Sequence, residues 1–149
     1  MARAVLAAME GDGVRAALEA IQRALPPCLA DLLGRHDSVA VACERAVECT
    51  LAREWGAAAE ASAEVVQQCE RQRADGGWDC AGWQEACIFA HLCAAAALMP
   101  EAATDAVWHV DRALMVGAPA ELCAPLLAAV EPLAHARLVV PEALAGARV

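Results

Sequence analysis

The sequence predicts a folded domain of the all-α class, and its composition gives the reasons. Alanine occupies 40 of the 149 positions, whereas tyrosine is absent and phenylalanine occurs once. Strong helix formers therefore outnumber the β-branched and aromatic residues that favour strands. With 60% hydrophobic residues and a mean hydropathy of +0.40, the chain is too apolar to be disordered. We expect a single domain over residues 1–149, built from about five to seven helices in antiparallel hairpins.

Glycine and proline residues divide the first third of the chain into helices. A helix is predicted between the Gly-Asp-Gly turn at 11–13 and the proline pair at 26–27, because apolar residues recur there at helical spacing. They are Val14, Ala17, Leu18, Ile21 and Leu25. A short helix over 28–33 follows, and then a longer one over 38–55 with one buried arc. That arc comprises Val39, Cys43, Ala46, Val47, Thr50 and Leu51.

The middle of the chain predicts a strongly amphipathic helix over 57–73, entered through a corner at Gly56. Its inward positions are expected to be Ala58, Ala61, Val65 and Cys69, and its outward positions Glu60, Glu64, Gln67 and Arg71. The Ala-Asp-Gly-Gly segment at 74–77 predicts a loop.

The next helix, over 79–98 with Asp79 as its N-cap, is expected to form the centre of the domain. Its only polar residues between the ends are Gln84, Glu85 and His91. A helix that is apolar on all sides must be enclosed by other elements. We therefore expect its neighbours to cover it completely.

The last third predicts a helix over 101–116, with Pro100 as its N-terminal proline. Its core stripe is expected to comprise Ala103, Val107, Val110 and Leu114. Beyond it, Pro125 and Pro132 are expected to break the chain into short or kinked helices. Residues 139–149 are expected to form a frayed tail.

The two central helical hairpins, over 38–73 and 79–117, are similar to each other. Aligning the Trp-Gly-Ala corner at 55–57 with the Met-Pro-Glu corner at 99–101 gives a period of about 44 residues. This pattern resembles tetratricopeptide-like or HEAT-like helical repeats, which implies a short α-solenoid and a role in protein binding. A compact bundle around helix 79–98 explains the same pattern.

A second resemblance lies in the alanine-rich segment 90–103, which reads AHLCAAAALMPEAA. This segment is similar to the hairpins of small, acidic, all-helical immunity proteins that accompany bacterial toxins. The resemblance implies a bacterial protein that neutralises a toxin, and it assigns no role to individual residues.

Charge and targeting signals exclude several partners and compartments. The net charge is −9 and lysine is absent, which argues against binding to nucleic acid or to an anionic membrane. The N-terminus lacks the pattern of a secretory signal, and the uncharged run 86–100 is too short to span a bilayer. The eight cysteines fall mostly within helical patterns, so we expect reduced thiols that fill the core of a cytoplasmic protein.

Familiar catalytic motifs are absent from the sequence. The only serines are Ser38 and Ser62, neither of which lies in a G-x-S-x-G motif. The absence of lysine excludes Walker-type and Schiff-base chemistry, and no glycine-rich phosphate loop is present. We therefore expect a protein that is not an enzyme and holds no cofactor.

One helix face leaves open whether its cysteines and histidine bind a metal. Cys80, Cys87 and His91 fall within about 40° of one another on the helix over 79–98. Cys87 and His91 could share a zinc or copper ion, but Cys80 lies ~10 Å from Cys87 along the helix, a gap that one tetrahedral ion cannot bridge. We expect small core-filling cysteines, a hydrogen-bonded core histidine at position 91 and no metal. A small-molecule or metal-binding bundle that uses Cys87 and His91 is the alternative function.

The expected function is protein binding, because Trp108 falls on the charged side of helix 101–116. The neighbouring residues on that side are Glu101, Asp105, Arg112 and Met115. Trp108 and Arg112 are spaced to form a cation–π contact, and Trp, Arg and Met are enriched at protein interfaces. Either this face is the binding surface, or it packs under the C-terminal helices.

A second candidate surface combines Trp55 with Glu44 and Glu48, which could receive a basic partner. The remaining histidines, His36, His109 and His135, are expected to be exposed or terminal and are assigned no role. The function expected from the sequence is thus an adaptor or a toxin-neutralising protein that binds another, basic protein through an acidic surface.

Overall fold

The structure, a computed structural model, describes residues 12–24, 37–78 and 81–132. These residues form six helices and no strand, which confirms the all-α prediction. The helices are α1 (Asp12–Ala24), α2 (Asp37–Leu51), α3 (Trp55–Gly76), α4 (Ala81–Leu98), α5 (Ala103–Val116) and α6 (120–132). They pack as a compact bundle. The predicted helix 28–33, the N-cap Asp79 and the tail 139–149 lie outside the described residues.

Helix α4 is the centre of the bundle, as the sequence predicts. Every residue from 86 to 97 is buried, and α4 packs against α2, α3 and α5. Its largest buried apolar residues are Trp83, Phe89, Ile88 and Leu92. Because most of the others are alanines, the neighbouring helices can approach α4 closely from every side.

Helix α3 has the inward and outward faces that its sequence predicts. Its buried residues are Ala58, Ala61, Ser62, Val65 and Cys69. The predicted outward residues Glu60, Glu64, Gln67 and Arg71 are all exposed. The helix is longer than expected, because it begins at Trp55 and continues to Gly76.

The corner between α2 and α3 differs from the prediction, because it lies at Arg53 and not at Gly56. Arg53 adopts a left-handed conformation with φ 60°. The amide of Glu54 donates to the carbonyl of Cys49 at 2.8 Å, and that of Arg53 donates to Thr50 at 3.0 Å. These two hydrogen bonds form a Schellman motif, which ends α2 without a glycine.

Two predictions about proline were also wrong. Pro100 lies in the turn between α4 and α5, where the amide of Ala102 donates to the carbonyl of Leu98 at 2.7 Å, and α5 begins only at Ala103. Pro125 does not interrupt α6, which is continuous over 120–132. A proline removes one helical hydrogen bond, and here the carbonyl without its partner lies in the first turn of α6.

The core stripe of α5 is shifted from the predicted one. Ala103 and Val110 are buried as expected, but the other fully buried residues are Ala106 and Ala113. The predicted Val107 and Leu114 are partly buried and pack at the edge of the core. Small residues thus face α4. None of the described helices is long and apolar enough to cross a membrane.

Candidate functional site

The candidate site lies where α3 and α5 flank one side of α4. Helices α4 and α5 run antiparallel, and two contacts fix their register: Gln84 Nε2 donates to the carbonyl of Val116 at 2.9 Å, and the Nδ1 atoms of His91 and His109 are 2.9 Å apart. On the other side, the Cys69 thiol of α3 donates to the carbonyl of Trp83 at 4.0 Å. Polar side chains of α3, α4 and α5 therefore meet along this side of α4.

Four of these side chains form a hydrogen-bonded chain that we call the thiol–imidazole chain: Cys69, Cys87, His91 and His109. The thiols of Cys69 and Cys87 hydrogen-bond to each other, and Cys87 also hydrogen-bonds to His91. The chain continues through the contact between His91 and His109, in which one Nδ1 atom donates and the other accepts. All members except His109 are buried. The prediction of a hydrogen-bonded core histidine at position 91 is confirmed.

The pKa values within the thiol–imidazole chain are shifted in different directions. The hydrogen bond between the two thiols lowers the pKa of Cys87 and raises that of Cys69. His91 lowers the pKa of Cys87 further. Burial, with a smaller effect of His91, lowers the pKa of His109 to about 4, so this ring is neutral at pH 7.

Trp108 lies at the outer edge of the thiol–imidazole chain, beside His109, and is 53% exposed. Its indole packs edge-on against the ring of His109, with 4.9 Å between ring centroids. The guanidinium of Arg112 lies 5.4 Å from the centre of the indole, which confirms the expected cation–π pair, and it is 3.7 Å from a carboxylate oxygen of Glu70. Met115, one turn further along α5, is 75% exposed.

An apolar groove of about 520 Å³ adjoins this surface. Its lining residues are Ala59, Glu60, Ala63, Val66, Gln67, Ala94, Leu98 and His109. Alanines of α3 form one wall, and Ala94 with Leu98 of α4 form the floor. His109 is shared between the groove and the thiol–imidazole chain. We use the name α3–α5 groove for this cavity.

Trp108 is exposed, so α6 over 120–132 does not cover it, and the role of this face in binding stays a prediction. The acidic residues Glu101 and Asp105 are also exposed, although Glu101 lies in the turn before α5 and not within the helix. Asp105 is near enough to His109 to oppose the lowering of its pKa. The sequence thus placed the binding candidates of α5 on one exposed surface.

The second predicted surface is not centred on an exposed tryptophan. Trp55 is half-buried and packs against the core, because it begins α3 and does not end α2. Glu44 and Glu48 are exposed on α2 as expected.

Sequence reasoning missed three residues of the site. The sequence predicts His109 to be exposed and without a role, and Cys69 to be only an inward residue of the helix over 57–73, while no pattern singles out Glu70. Antiparallel pairing of α4 with α5 would have brought His91 opposite His109, so a helical-hairpin register is the signal that could have found this pair.

The metal-binding alternative gains no third ligand in the described chain. Within residues 12–24, 37–78 and 81–132, no group of three His, Cys, Asp or Glu side chains is arranged to hold a metal ion. Cys80 lies outside these residues. The arrangement of Cys87 and His91 supports hydrogen bonding between a thiol and an imidazole.

Comparison with known proteins finds no family model that matches the chain, and no curated protein or solved structure that matches it. The function must therefore be argued from the site itself.

Proposed function

We propose that this protein is a non-enzymatic interaction module that binds a basic, helical segment of another protein. The observation that carries the proposal is the exposure of Trp108, at 53%, beside an apolar groove. A large aromatic side chain that is held in place and still half-exposed is typical of an interface hot spot. Arg112 and His109 hold the indole in position, so binding would require little reordering.

The charge of the segment from α4 to α6 favours a basic partner. Residues 81–132 contain six acidic residues and one basic residue, Arg112. Arg112 already contacts Glu70 and Trp108. Five of the six acidic residues are exposed, namely Glu101, Asp105, Asp111, Glu121 and Glu131. A surface of one sign accelerates association with a partner of opposite sign and disfavours acidic competitors.

The shape of the α3–α5 groove favours a helix as the bound element. The groove has an apolar floor at Ala94 and Leu98, and Glu60 of α3 lines it. On the α5 side it is lined by His109, on which the exposed carboxylate of Asp105 acts electrostatically. An amphipathic helix can place its apolar side chains on this floor while its basic side chains reach Glu60 and the exposed Asp105 beside His109. Trp108 would then contact the partner beside the groove.

Within this class we propose an adaptor or a protein that neutralises a basic toxin. Both roles require a stable scaffold, a preformed acidic surface and no catalytic group. The enclosed α4 supplies the scaffold, and α3 and α5 present the surface.

The experiment measures binding of two synthetic helical peptides to the purified protein. One is a roughly 20-residue amphipathic helix of leucine and arginine, and the other has glutamate in place of every arginine. We expect the basic peptide to bind and the acidic one to bind at least tenfold more weakly, and added salt should weaken the basic complex. Equal affinity for the two peptides would contradict the proposal.

The variant Trp108→Ala tests the position of the surface, with Val41→Ala as its matched control. Val41 is 64% exposed on α2, so its truncation removes an exposed apolar side chain elsewhere. Trp108→Ala should weaken binding roughly thirtyfold, the effect of a ~2 kcal/mol hot spot, and Val41→Ala should leave it unchanged. Because Trp108 buries about half of its surface, its loss should also cost ~1–2 kcal/mol of folding free energy. Binding is therefore compared well below both melting temperatures.

A further inference from the structure

The α3–α5 groove has a direction, because the two helices beside it run the same way. The Cys69 thiol of α3 donates to the carbonyl of Trp83 near the start of α4, whereas Ala59 lines the groove together with Leu98 at the end of α4. Helices α3 and α4 are therefore antiparallel, and the two contacts that fix the register of α5 make α5 antiparallel to α4 as well. It follows that α3 and α5 are parallel and that both begin near the C-terminal end of α4.

A second hollow continues the groove along α3. It has a volume of about 380 Å³, and its lining residues are Val66, Gln67, Glu70, Arg71 and Ala74. Val66 and Gln67 line both cavities, so the α3–α5 groove and this hollow form one continuous surface that we call the α3 track. From Ala59 to Ala74 the α3 track is about 22 Å long at 1.5 Å per helical residue, which is the length of a helix of about 15 residues.

The end of the α3 track where α3 and α5 begin is acidic. Glu60 lines the groove and is exposed. On the α5 side, the exposed carboxylate of Asp105 acts electrostatically on His109 in the groove wall. The sequence contains no arginine over 55–70 of α3 or over 103–111 of α5. A bound segment therefore meets carboxylates and no permanent cation at this end.

The opposite end of the α3 track carries cations. Arg71 is exposed and lines the second hollow. The guanidinium of Arg112 on α5 lies 3.7 Å from a carboxylate oxygen of Glu70, which lines the same hollow. The Nε atom of Arg112 is buried without a hydrogen-bond partner among the described residues, so this contact leaves part of its guanidinium unsatisfied. Two guanidinium groups and one carboxylate adjoin the hollow, and this excess of cations favours an acidic side chain on the bound segment.

We propose that the partner helix lies along the α3 track antiparallel to α3 and α5, with its basic side chains in its C-terminal half and an acidic side chain in its N-terminal half. This inference rests on the proposed function and adds the direction and the charge order of the bound helix. In this direction the basic half lies beside Glu60 and Asp105, and the acidic half lies beside Arg71 and Arg112. The dipole of the partner helix favours the same order, because anions stabilise the N-terminus of a helix and cations its C-terminus.

The apolar residues of the α3 track require large side chains on the partner. Ala59, Ala63 and Ala94 are small, so leucine-sized side chains of the partner fill the space above them. A helix brings such side chains to one face when they are spaced three and four residues apart. The partner is thus a helix of about 15 residues with one apolar face and a change of charge from one end to the other.

The test compares two peptides of about 16 residues that have the same composition, with leucines on one face and more arginines than glutamates. The C-basic peptide has its glutamates in the N-terminal half and its arginines in the C-terminal half, and the N-basic peptide has the reverse order. Calorimetric titration of the full-length protein should give at least about tenfold tighter binding of the C-basic peptide. If the leucine–arginine helix binds but these two peptides bind equally, in the opposite order or not at all, this inference alone is overturned. Absence of binding by all three peptides would overturn the proposed function with it.

Charge variants separate the effect of the α3 track from the helicity of the peptides, because the C-basic peptide is also the more stable helix. Glu60→Arg should reduce the ratio of the two affinities at least about threefold. Glu44→Arg makes the same change of charge at an exposed position of α2 and should leave the ratio unchanged. The same ratio in Glu60→Arg as in the wild-type protein would contradict the proposed charge order.

A nitroxide spin label on the C-basic peptide shows its direction independently of affinity. A label at the C-terminus of the peptide should broaden the amide signals of Ala59 and Ala63 in the NMR spectrum of the isotope-labelled protein. A label at the N-terminus should instead broaden the signal of Ala74. The reverse pattern would overturn the antiparallel arrangement and leave the binding surface in place.

Discussion

Replacing Phe89 with alanine tests whether α4 is the structural centre. Phe89 is 1% exposed, lies in the middle of α4, and is the only phenylalanine of the chain. The core around it is rich in alanines, which have no flexible side chains that could move into the space of the lost ring. The substitution should therefore leave a cavity that collapses poorly.

The expected cost is ~3–5 kcal/mol, the range measured when a buried aromatic side chain is replaced by alanine. Such a cost is a large part of the ~5–15 kcal/mol by which domains are stabilised. At about 2–4 °C per kcal/mol for a domain of this size, the melting temperature should fall by roughly 6–20 °C. Helix propensity opposes this loss only slightly, because alanine gains no more than ~0.7 kcal/mol.

Urea unfolding followed by far-UV circular dichroism measures the effect, with Val41→Ala as the control. Val41 is 64% exposed, so its truncation should change the unfolding free energy by less than ~0.5 kcal/mol. The urea dependence of the free energy should remain the same for both variants. A Phe89→Ala protein that loses less than ~1 kcal/mol would refute the enclosure of α4.

Two further predictions concern pH and backbone conformation. Because the pKa of His109 is lowered to about 4, the unfolded chain takes up a proton near pH 6.5 that the folded protein does not bind. Stability should therefore fall as the pH decreases from about 6.5 to 4, and His109→Gln should flatten this dependence in urea titrations at several pH values; an unchanged slope would contradict it. Gly117→Ala should destabilise the protein by ~1–2 kcal/mol, because Gly117 has φ +119° and the new Cβ would lie 2.7 Å from Nε2 of Gln84. Gly56 lies within helix α3, and a Cβ added there would meet no atom within 4 Å. Gly56→Ala should therefore stabilise the protein by up to ~1 kcal/mol and raise its melting temperature. Equal melting temperatures for the two glycine variants would contradict this explanation.

The parts of the fold that follow from periodicity could be predicted from the sequence. Helix α3 has charged residues on one side and small apolar residues on the other, and a single pattern of burial satisfies both. Helix α4 has apolar residues on all sides, so enclosure is its only favourable environment. Both predictions depend on side-chain hydrophobicity within one helix.

The corners could not be predicted because they depend on backbone hydrogen bonds between specific residues. Gly56 looked like the natural end of α2, yet Arg53 adopts the left-handed conformation that glycine usually provides. Pro125 looked like a helix breaker, yet its position early in α6 limits the loss to one hydrogen bond.

The site could be predicted only in part, because it depends on pairing between helices. The exposed face around Trp108 follows from the pattern of a single helix. The thiol–imidazole chain requires the relative register of three helices, which brings Cys69 to Cys87 and His91 to His109. No pattern within one helix contains that information.

The small residues that define the bundle also explain why its binding candidate lies at this seam. Where large side chains are available, as at Phe89 and Leu92, the space between helices is filled. Along the seam above Ala94 the facing residues of α3 are Ala59 and Ala63, which are too small to reach α5. The space between α3 and α5 therefore stays open as a groove. A protein stabilised by close helix contacts thus leaves apolar surface uncovered where three helices meet, and a partner helix with larger side chains is the kind of element that could cover it.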